Sequence, residues 1–285
     1  MPVNGQHYTP DFDAPLTNCP VCFSDRISWH KTDYKGIRIY KCRDCRIEFM
    51  NPQYTDEYLS EFYTKYLGND DKHHYYKDNI TARSLIHNVN LKEIEHYIKP
   101  GRFLSIGTGN GLDLSEARKL GWQAEGYDVD TASVKLISDN LGFEVKSGKF
   151  AGIEYPEKYF DCVYVNHVLE HPKNPGEYIH KFKKIIKPGG LLFIACPNIK
   201  SFSSLIKNFL EFTGIRKSRA KHYDTWQHLI YYSPQKLKRV LEKKYDFNVV
   251  KYGNCVEINM KNKKPSTGML PFAYKSTFRL IAIKD

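Results

Sequence analysis

Apolar positions along the chain change their spacing in three places. Before residue 60 they come in short runs such as Gly36-Ile-Arg-Ile-Tyr40, set among Cys, Pro and turn residues. From about 55 to 98 the segment reads as helical and aromatic. Tyr54, Tyr58, Phe62, Tyr63, Tyr66, Tyr75 and Tyr76 come first. Leu85, Ile86, Val89, Leu91, Ile94 and Ile98 follow at the three- and four-residue spacing of an amphipathic helix, which Pro100-Gly101 ends. Beyond residue 102, strand-like runs over 102–106, 123–127, 160–165, 191–196, 247–252 and 278–283 alternate with helical stretches. The helices are predicted over 112–120 and 131–141, from Asn174 up to Pro188-Gly189-Gly190, and from Ser233-Pro234. Asn174-Pro-Gly-Glu177 has the form of a helix start, with Asn as N-cap, Pro at N1 and Glu at N3. The runs at 160–165 and 191–196 are apolar on both faces, as strands sandwiched between helices are.

Repeated β-α units with short connections predict an α/β fold, a doubly wound and mostly parallel sheet covered by helices. Three parts result: a Cys-rich module over 1–54, a helical aromatic linker or lid over 55–99, and an α/β domain over 100–285. Residues 198–232 are too long for a plain β-to-α connection and are expected to add lid or substrate-binding elements.

Composition narrows this picture only slightly. The 285 residues carry 43 Lys+Arg against 32 Asp+Glu, a net charge of +11, and 41% are hydrophobic, so a folded core is expected rather than disorder. No apolar run approaches the ~18 residues of a membrane span. The sequence opens without a basic stretch leading into an apolar one, so no secretory signal is read and a cytoplasmic protein is expected. In that setting the 7 cysteines read as metal ligands or free thiols. The basic balance admits nucleic acid, an anionic membrane or a phosphorylated substrate without choosing among them.

The cysteines do choose. Cys19-Pro-Val-Cys22 and Cys42-Arg-Asp-Cys45 form two C-x2-C turns at zinc-ribbon spacing. Four thiolates leave no coordination position open to water, so a structural Zn2+ is expected; redox-active or coincidental thiols are the alternative. Cys162, Cys196 and Cys255 fall on or near core strands and read as small buried hydrophobes.

A second signal joins the first strand of the α/β domain to its helix: Phe103-Leu-Ser-Ile-Gly107-Thr-Gly109-Asn-Gly111. The spacing is G-x-G-x-G, and Leu112 stands where the dinucleotide fingerprint would need glycine. Such glycines let a backbone turn sharply and approach a ligand beneath a helix N-terminus. Asp128 falls at the end of the second strand, where a carboxylate can accept both hydroxyls of a ribose. Asn166-His167-Val-Leu-Glu170-His171 follows the 160–165 strand, at the sheet edge where ligands of open α/β sheets bind.

These residues resemble the class I S-adenosylmethionine-dependent methyltransferases. The run from Phe160 to His171, then Lys187-Pro-Gly-Gly-Leu-Leu-Phe-Ile-Ala-Cys-Pro-Asn198 and Gln227-His-Leu-Ile-Tyr-Tyr-Ser-Pro234, carry the likeness over about residues 100–285. With the Cys cluster in front, the chain is similar to sugar methyltransferases. The resemblance implies a Rossmann-like, seven-stranded sheet with its last strand antiparallel. It also implies a cofactor site of Gly107, Thr108, Gly109, Gly111, Asp128, Phe150 and Asn166 for S-adenosyl-L-methionine. Ser105 departs from the pattern, standing where Asp or Glu is usual, so a carboxylate is expected to be missing near the cofactor. Ser147-Gly-Lys-Phe150 stands in place of a frequent Gly-Asp pair; a backbone amide near Phe150, or its ring, is the expected replacement.

Methyl transfer from a sulfonium needs the nucleophile aligned with the C–S axis and, for a hydroxyl or carbon acid, a base. His171 and Glu170 are the first candidates for catalysis and His167 the next; a helix-entry turn with an ion pair is the plain structural alternative. Tyr75, Tyr76, His222 and His228 are candidates for substrate binding. Arg216, Lys217, Arg219 and Lys221 would suit a phosphate if they line the crevice, so the expected partner is a small-molecule substrate, a sugar bearing a phosphate or nucleotide. An RNA-modifying enzyme and a non-catalytic scaffold are the competing readings. Dispersed basic residues argue against the first, and Ser105 keeps the second open.

Overall fold

The structure, a computed structural model, describes residues 10–67, 80–213, 223–259, 264–266 and 275–285. In the N-terminal part, β1 (Ile27–Thr32), β2 (Arg38–Cys42) and β3 (Glu48–Met50) form an antiparallel sheet, followed by α1 (Asp56–Leu67) and α2 (Ile80–Ile94). The α/β domain continues with β4 (Arg102–Ile106), α3 (Leu112–Lys119), β5 (Gln123–Asp128), α4 (Thr131–Leu141), β6 (Val145–Ser147), β7 (Phe160–Asn166), α5 (Pro175–Ile185) and β8 (Ile186–Pro197). Then come α6 (Phe202–Phe212), β9 (Ile230–Tyr231), α7 (Pro234–Tyr245), β10 (Phe247–Asn254), a small hairpin of β11 (Glu257–Asn259) and β12 (Lys264–Ser266), and β13 (Thr277–Lys284).

The main sheet has seven strands in the order β10-β13-β8-β7-β4-β5-β6. Pairs β4–β5, β4–β7, β5–β6 and β7–β8 are parallel, and β13 runs antiparallel to β8 and β10. One face packs Leu91, Ile94, Leu114, Ala117 and Ile137 from α2, α3 and α4 against Phe103, Tyr164 and Phe193. The other packs Ile179, Phe182, Leu237, Val240 and Leu241 from α5 and α7 against Leu104, Val163, Val165 and Ile194. Burial on both faces is what the apolar runs within β7 and β8 require. Cys162, Cys196 and Cys255 are buried, and so are Tyr54 and Tyr58.

Three boundaries differ from the pattern reading. Helix α5 stops at Ile185, and Pro188-Gly189-Gly190 lies inside β8. The pairing jumps from Phe160↔Ile186 to Cys162↔Leu191, so residues 187–190 bulge outward. Asp161 anchors that bulge, its carboxylate accepting from Lys187 Nζ at 2.7 Å and from the Arg102 amide at 2.7 Å. Asn174 sits at the N-cap of α5, but its side chain makes no capping bond. Helix α2 ends at Ile94, and residues up to Ile98 continue as turns.

Helix α6, the β11–β12 hairpin and β9 were not foreseen, and β9 has the largest consequence. It pairs with β3, so the N-terminal sheet has the order β1-β2-β3-β9 and its fourth strand comes from the α/β domain. Glu48 on β3 lies in this seam. Its carboxylate accepts from Lys236 Nζ at 2.7 Å and from the Tyr223 hydroxyl at 2.6 Å, with Lys41 Nζ at 3.6 Å. Burial would push Glu48 up, but the charge and hydrogen bond of Lys236, with Tyr223 and His30, outweigh it and hold the group at about 2. Hydrogen bonds from Tyr54 to the Thr225 carbonyl, from Thr225 to Asp33 and from Tyr245 to the Val21 carbonyl cross the same seam.

Removing the Glu48 carboxylate would leave Lys236 buried without its partner. Glu48→Ala should therefore destabilise the chain by about 3 kcal/mol in urea unfolding. Because the folded value lies below the free one of 4.5, wild-type stability from this group is present above pH 4.5 and lost as pH falls toward about 2. The variant should lack that acid-side loss.

Candidate active site

The glycine loop turns from β4 into α3 through three residues with positive φ: Gly107 at 73°, Gly109 at 54° and Gly111 at 74°. A Cβ on Gly107 would stand 2.4 Å from Val168 Cγ2, so the loop after β7 can close on the bend only because glycine is there. At Gly109 no atom lies within 4 Å of such a Cβ, and that side of the bend is open. Asp128, at the end of β5, faces the bend: Oδ2 accepts from the Gly109 amide at 2.7 Å and Oδ1 from the Asp130 amide at 3.0 Å. The buried Thr108 Oγ1 has no hydrogen-bond partner among the described residues.

Ser105 corrects the expectation of a missing carboxylate. Its hydroxyl donates to Oδ2 of Asp113, a buried side chain in the first turn of α3. Burial pushes Asp113 up to about 7, against the opposing bonds from Ser105 and the Leu114 amide. The sequence signal was a Ser and an Asp exchanging roles eight residues apart.

Phe150, expected near an adenine, is instead a core ring. It is buried and stacks on Tyr178 at 4.5 Å, with Tyr127 at 4.8 Å and Phe182 at 5.7 Å. Those contacts leave its faces engaged, so the ring is not free to cover a ligand.

The loop after β7 concentrates charge. His167 has φ 57°, a left-handed conformation that is strained for a non-glycine residue. Glu170 is 1% exposed, with His167 Nδ1 at 3.4 Å and His171 Nε2 at 3.9 Å from Oε1. Burial pushes this carboxyl up, but the His167, His171 and His228 rings beside it outweigh that and hold it at about 2. Glu170, expected among the catalytic residues, is enclosed beneath these rings, where it can position the histidines. His171 Nδ1 lies 3.0 Å from the Gln227 carbonyl, an acceptor, so this nitrogen carries the proton and Nε2 faces Glu170.

His228 joins the group from across the fold. Its ring meets that of His171 edge-on at 5.0 Å, and burial keeps its basicity below that of a free imidazole. Glu170, His171 and His228 each present one ligating atom within 4.8 Å of the others, a spacing that suits a shared proton or a divalent ion. His228 also lines a cleft of about 150 Å³ beside the end of β8, with Asn198, Ser201, Ser204, Lys207 and Tyr223. Tyr75, Tyr76, His222 and the basic residues Arg216, Lys217, Arg219 and Lys221 lie outside the described residues.

The four N-terminal cysteines are buried, and their sulfurs lie within 4.8 Å of one another. Cys19 Sγ–Cys45 Sγ and Cys22 Sγ–Cys42 Sγ are both 3.6 Å. A tetrahedron of sulfurs about ~2.3 Å from a zinc ion has edges of about 3.8 Å, close to that spacing.

The sheet order, the glycine bend and the acid at the end of β5 define a class I methyltransferase type of Rossmann-like domain. Residues 71–252 match a family model described as a methyltransferase domain, and the chain belongs to that family. A ubiquinone biosynthesis O-methyltransferase from Maricaulis maris is 34% identical over 103 residues, covering 34% of this chain and 41% of that protein. A mitochondrial ubiquinone biosynthesis O-methyltransferase from Mus musculus is 26% identical, over 78% of this chain and 61% of its own length. The chain thus spans less than two thirds of either relative. The structure of a SAM-dependent methyltransferase from Archaeoglobus fulgidus shares the fold, with a TM-score of 0.52 at 22% identity over 74% of this chain and 99% of that one.

Asp113 gives a pH signature. Its folded value lies above the free value of 3.8, so its contribution to stability is fully present below pH 3.8 and is lost as pH rises through about 7. Asp113→Asn should abolish that loss: between about pH 6 and pH 8, calorimetry should show wild-type Tm falling by several degrees more than the variant's.

Proposed function

We propose that this chain transfers the methyl group of S-adenosylmethionine to an oxygen of a small-molecule acceptor. The observation that carries the reading is the bond between Asp128 and the Gly109 amide, which sets a buried carboxylate beside an open glycine bend. Asp128 would hold the ribose through its remaining lone pairs, and Thr108 Oγ1 offers a buried hydroxyl in want of a partner. When bound, the cofactor supplies an electrophilic methyl on a cationic sulfur. The chain's part is to align the acceptor and take its proton.

His167 is the proton acceptor in this reading. Its side chain is 41% exposed, and Nδ1 faces Glu170, which leaves Nε2 turned away from that carboxylate. Glu170 positions the ring and favours the cation formed when the proton arrives, while His171 and His228 shape the acceptor side. The cleft beside His228 is lined by Asn198, Ser201, Ser204 and Lys207, groups that suit a hydroxyl-rich acceptor such as a sugar with a phosphate. The relatives named for ubiquinone biosynthesis keep a phenolic acceptor as the second candidate. The Cys quartet is a structural zinc site in this reading, with Cys19, Cys22, Cys42 and Cys45 as its ligands.

Calorimetry with S-adenosylmethionine tests the cofactor assignment: Asp128→Ala should bind at least about tenfold more weakly with its fold intact. No binding to the wild type would end the proposal. With a panel of sugars and phenols read by mass shift, His167→Ala should lower kcat about 10²–10⁴-fold at unchanged cofactor affinity. Full turnover by that variant would remove His167 from the role. Elemental analysis should find about one zinc per chain, and chelation should lower Tm.

A further inference from the structure

Glu170 is a buried carboxylate that the described residues leave unsatisfied. It is 1% exposed, and neither Oε1 nor Oε2 has a hydrogen-bond partner among them. A carboxylate shut away from water without hydrogen bonds is costly, and folded chains retain one where a counter-charge or a metal ion meets it. The groups that stand around this one are the His167, His171 and His228 rings.

Three of these four residues are grouped as metal donors are. One ligating atom each of Glu170, His171 and His228 lies within 4.8 Å of the other two. Donors about 2.1 Å from an ion stand about 3.4 Å apart in a tetrahedral shell, so binding asks the group to close by up to about 1.4 Å. Rotation of the two imidazoles can supply that movement, since the His171 side chain is 25% exposed and that of His228 14%. The tautomer of His171 is already suited to ligation. Its Nδ1 donates to the Gln227 carbonyl at 3.0 Å, which leaves the lone pair on Nε2, 3.9 Å from Glu170. A backbone carbonyl on the other ring nitrogen is what orients most ligating histidines. Asp224 stands in a comparable place for His228, 3.9 Å from Nδ1. His228 also lines the cleft, which gives an ion a way in.

We propose that Glu170, His171 and His228 bind a divalent transition-metal ion, separate from the zinc of the cysteine quartet. Two imidazoles and one carboxylate suit Zn2+, Fe2+ or Co2+ ahead of Mg2+ or Ca2+. Three protein ligands leave a position open on the ion, which four thiolates do not. The ion's charge answers the unpartnered carboxylate and ties the loop after β7 to the 228–232 segment. An acceptor hydroxyl bound at the open position would lose its proton more readily, close to His167, which shares Glu170 with the ion. That consequence rests on the methyl-transfer reading; the ion site does not.

Titration of the full chain with Co2+ tests it, because the optical spectrum tells nitrogen and oxygen ligands from sulfur. The wild type should take up about one Co2+ per chain with visible d–d bands and no near-ultraviolet sulfur-to-cobalt charge-transfer band. Glu170→Gln and His228→Gln should each bind Co2+ at least about tenfold more weakly, with Tm read alongside. If Glu170→Gln does not fold, His228→Gln, a change at the edge of the cleft, decides the matter. A wild type that takes up no Co2+ or shows only the sulfur band, or a folded variant that binds Co2+ as tightly as the wild type, would overturn the site. Calorimetry with S-adenosylmethionine on the same protein separates the two proposals. Co2+ uptake without cofactor binding would end the methyl-transfer reading alone, and cofactor binding without Co2+ uptake would end the ion site alone.

Discussion

Everything on the acceptor side of the site hangs on one short segment, residues 228–232, held from two directions. On one side the Leu229 and Ile230 amides donate to the Glu170 carbonyl at 2.9 and 3.1 Å, and the Tyr232 hydroxyl donates to the Leu169 carbonyl at 3.1 Å. On the other, β9 pairs with β3, and the Met50 amide donates to the Leu229 carbonyl at 2.8 Å. His228 reaches His171 and Glu170 only because its backbone is fixed on both sides. The cysteine module is therefore a buttress of the site. Its own small sheet would end in an unpaired edge at β3, and the α/β domain supplies the strand that covers it.

Three buried carboxyls show how the same burial gives opposite outcomes. Glu48 has the Lys236 ammonium beside it and Glu170 a group of imidazoles, and both are held low. Asp113 has only hydroxyl and amide donors, with the like charge of Asp128 nearby, and desolvation wins. Desolvation pushes both Asp113 and Asp128 up, and the Asp128 charge adds to the shift at Asp113.

The strand-and-helix alternation, the glycine bend, Asp128 and the cysteine quartet were all legible because each is local: a period, a turn or a spacing within a few residues. What stayed hidden depended on distant partners. Nothing in Ile230-Tyr231 marks a strand, since its partner Glu48-Phe49 lies about 180 residues earlier and two residues carry no period. The Ser105–Asp113 bond was not legible either, because the carboxyl that meets this Ser lies on a different element. Phe150 misled for a similar reason. Its place after β6 suggested a ligand, and only the side chains of α5, Tyr178 and Phe182, reveal that the ring is core.

The two halves of the site accordingly differ in construction. The donor half is made of strand ends and one bend, all belonging to a sheet whose hydrogen bonds fix them within a few residues of each other. In the proposed reading the acceptor half is assembled from the loop after β7, the start of α6, the 228–232 segment and, through it, the cysteine module. A change in any of these reshapes the cleft without touching the glycine bend or Asp128. The seam is also where charge is most tightly balanced, with Glu48 set against Lys41 and Lys236. Loosening the module would release His228 first, because its segment has no helix or long strand of its own to hold it. On that reading, acceptor recognition is coupled to the folding of the cysteine module, whereas the donor pocket is coupled to the main sheet.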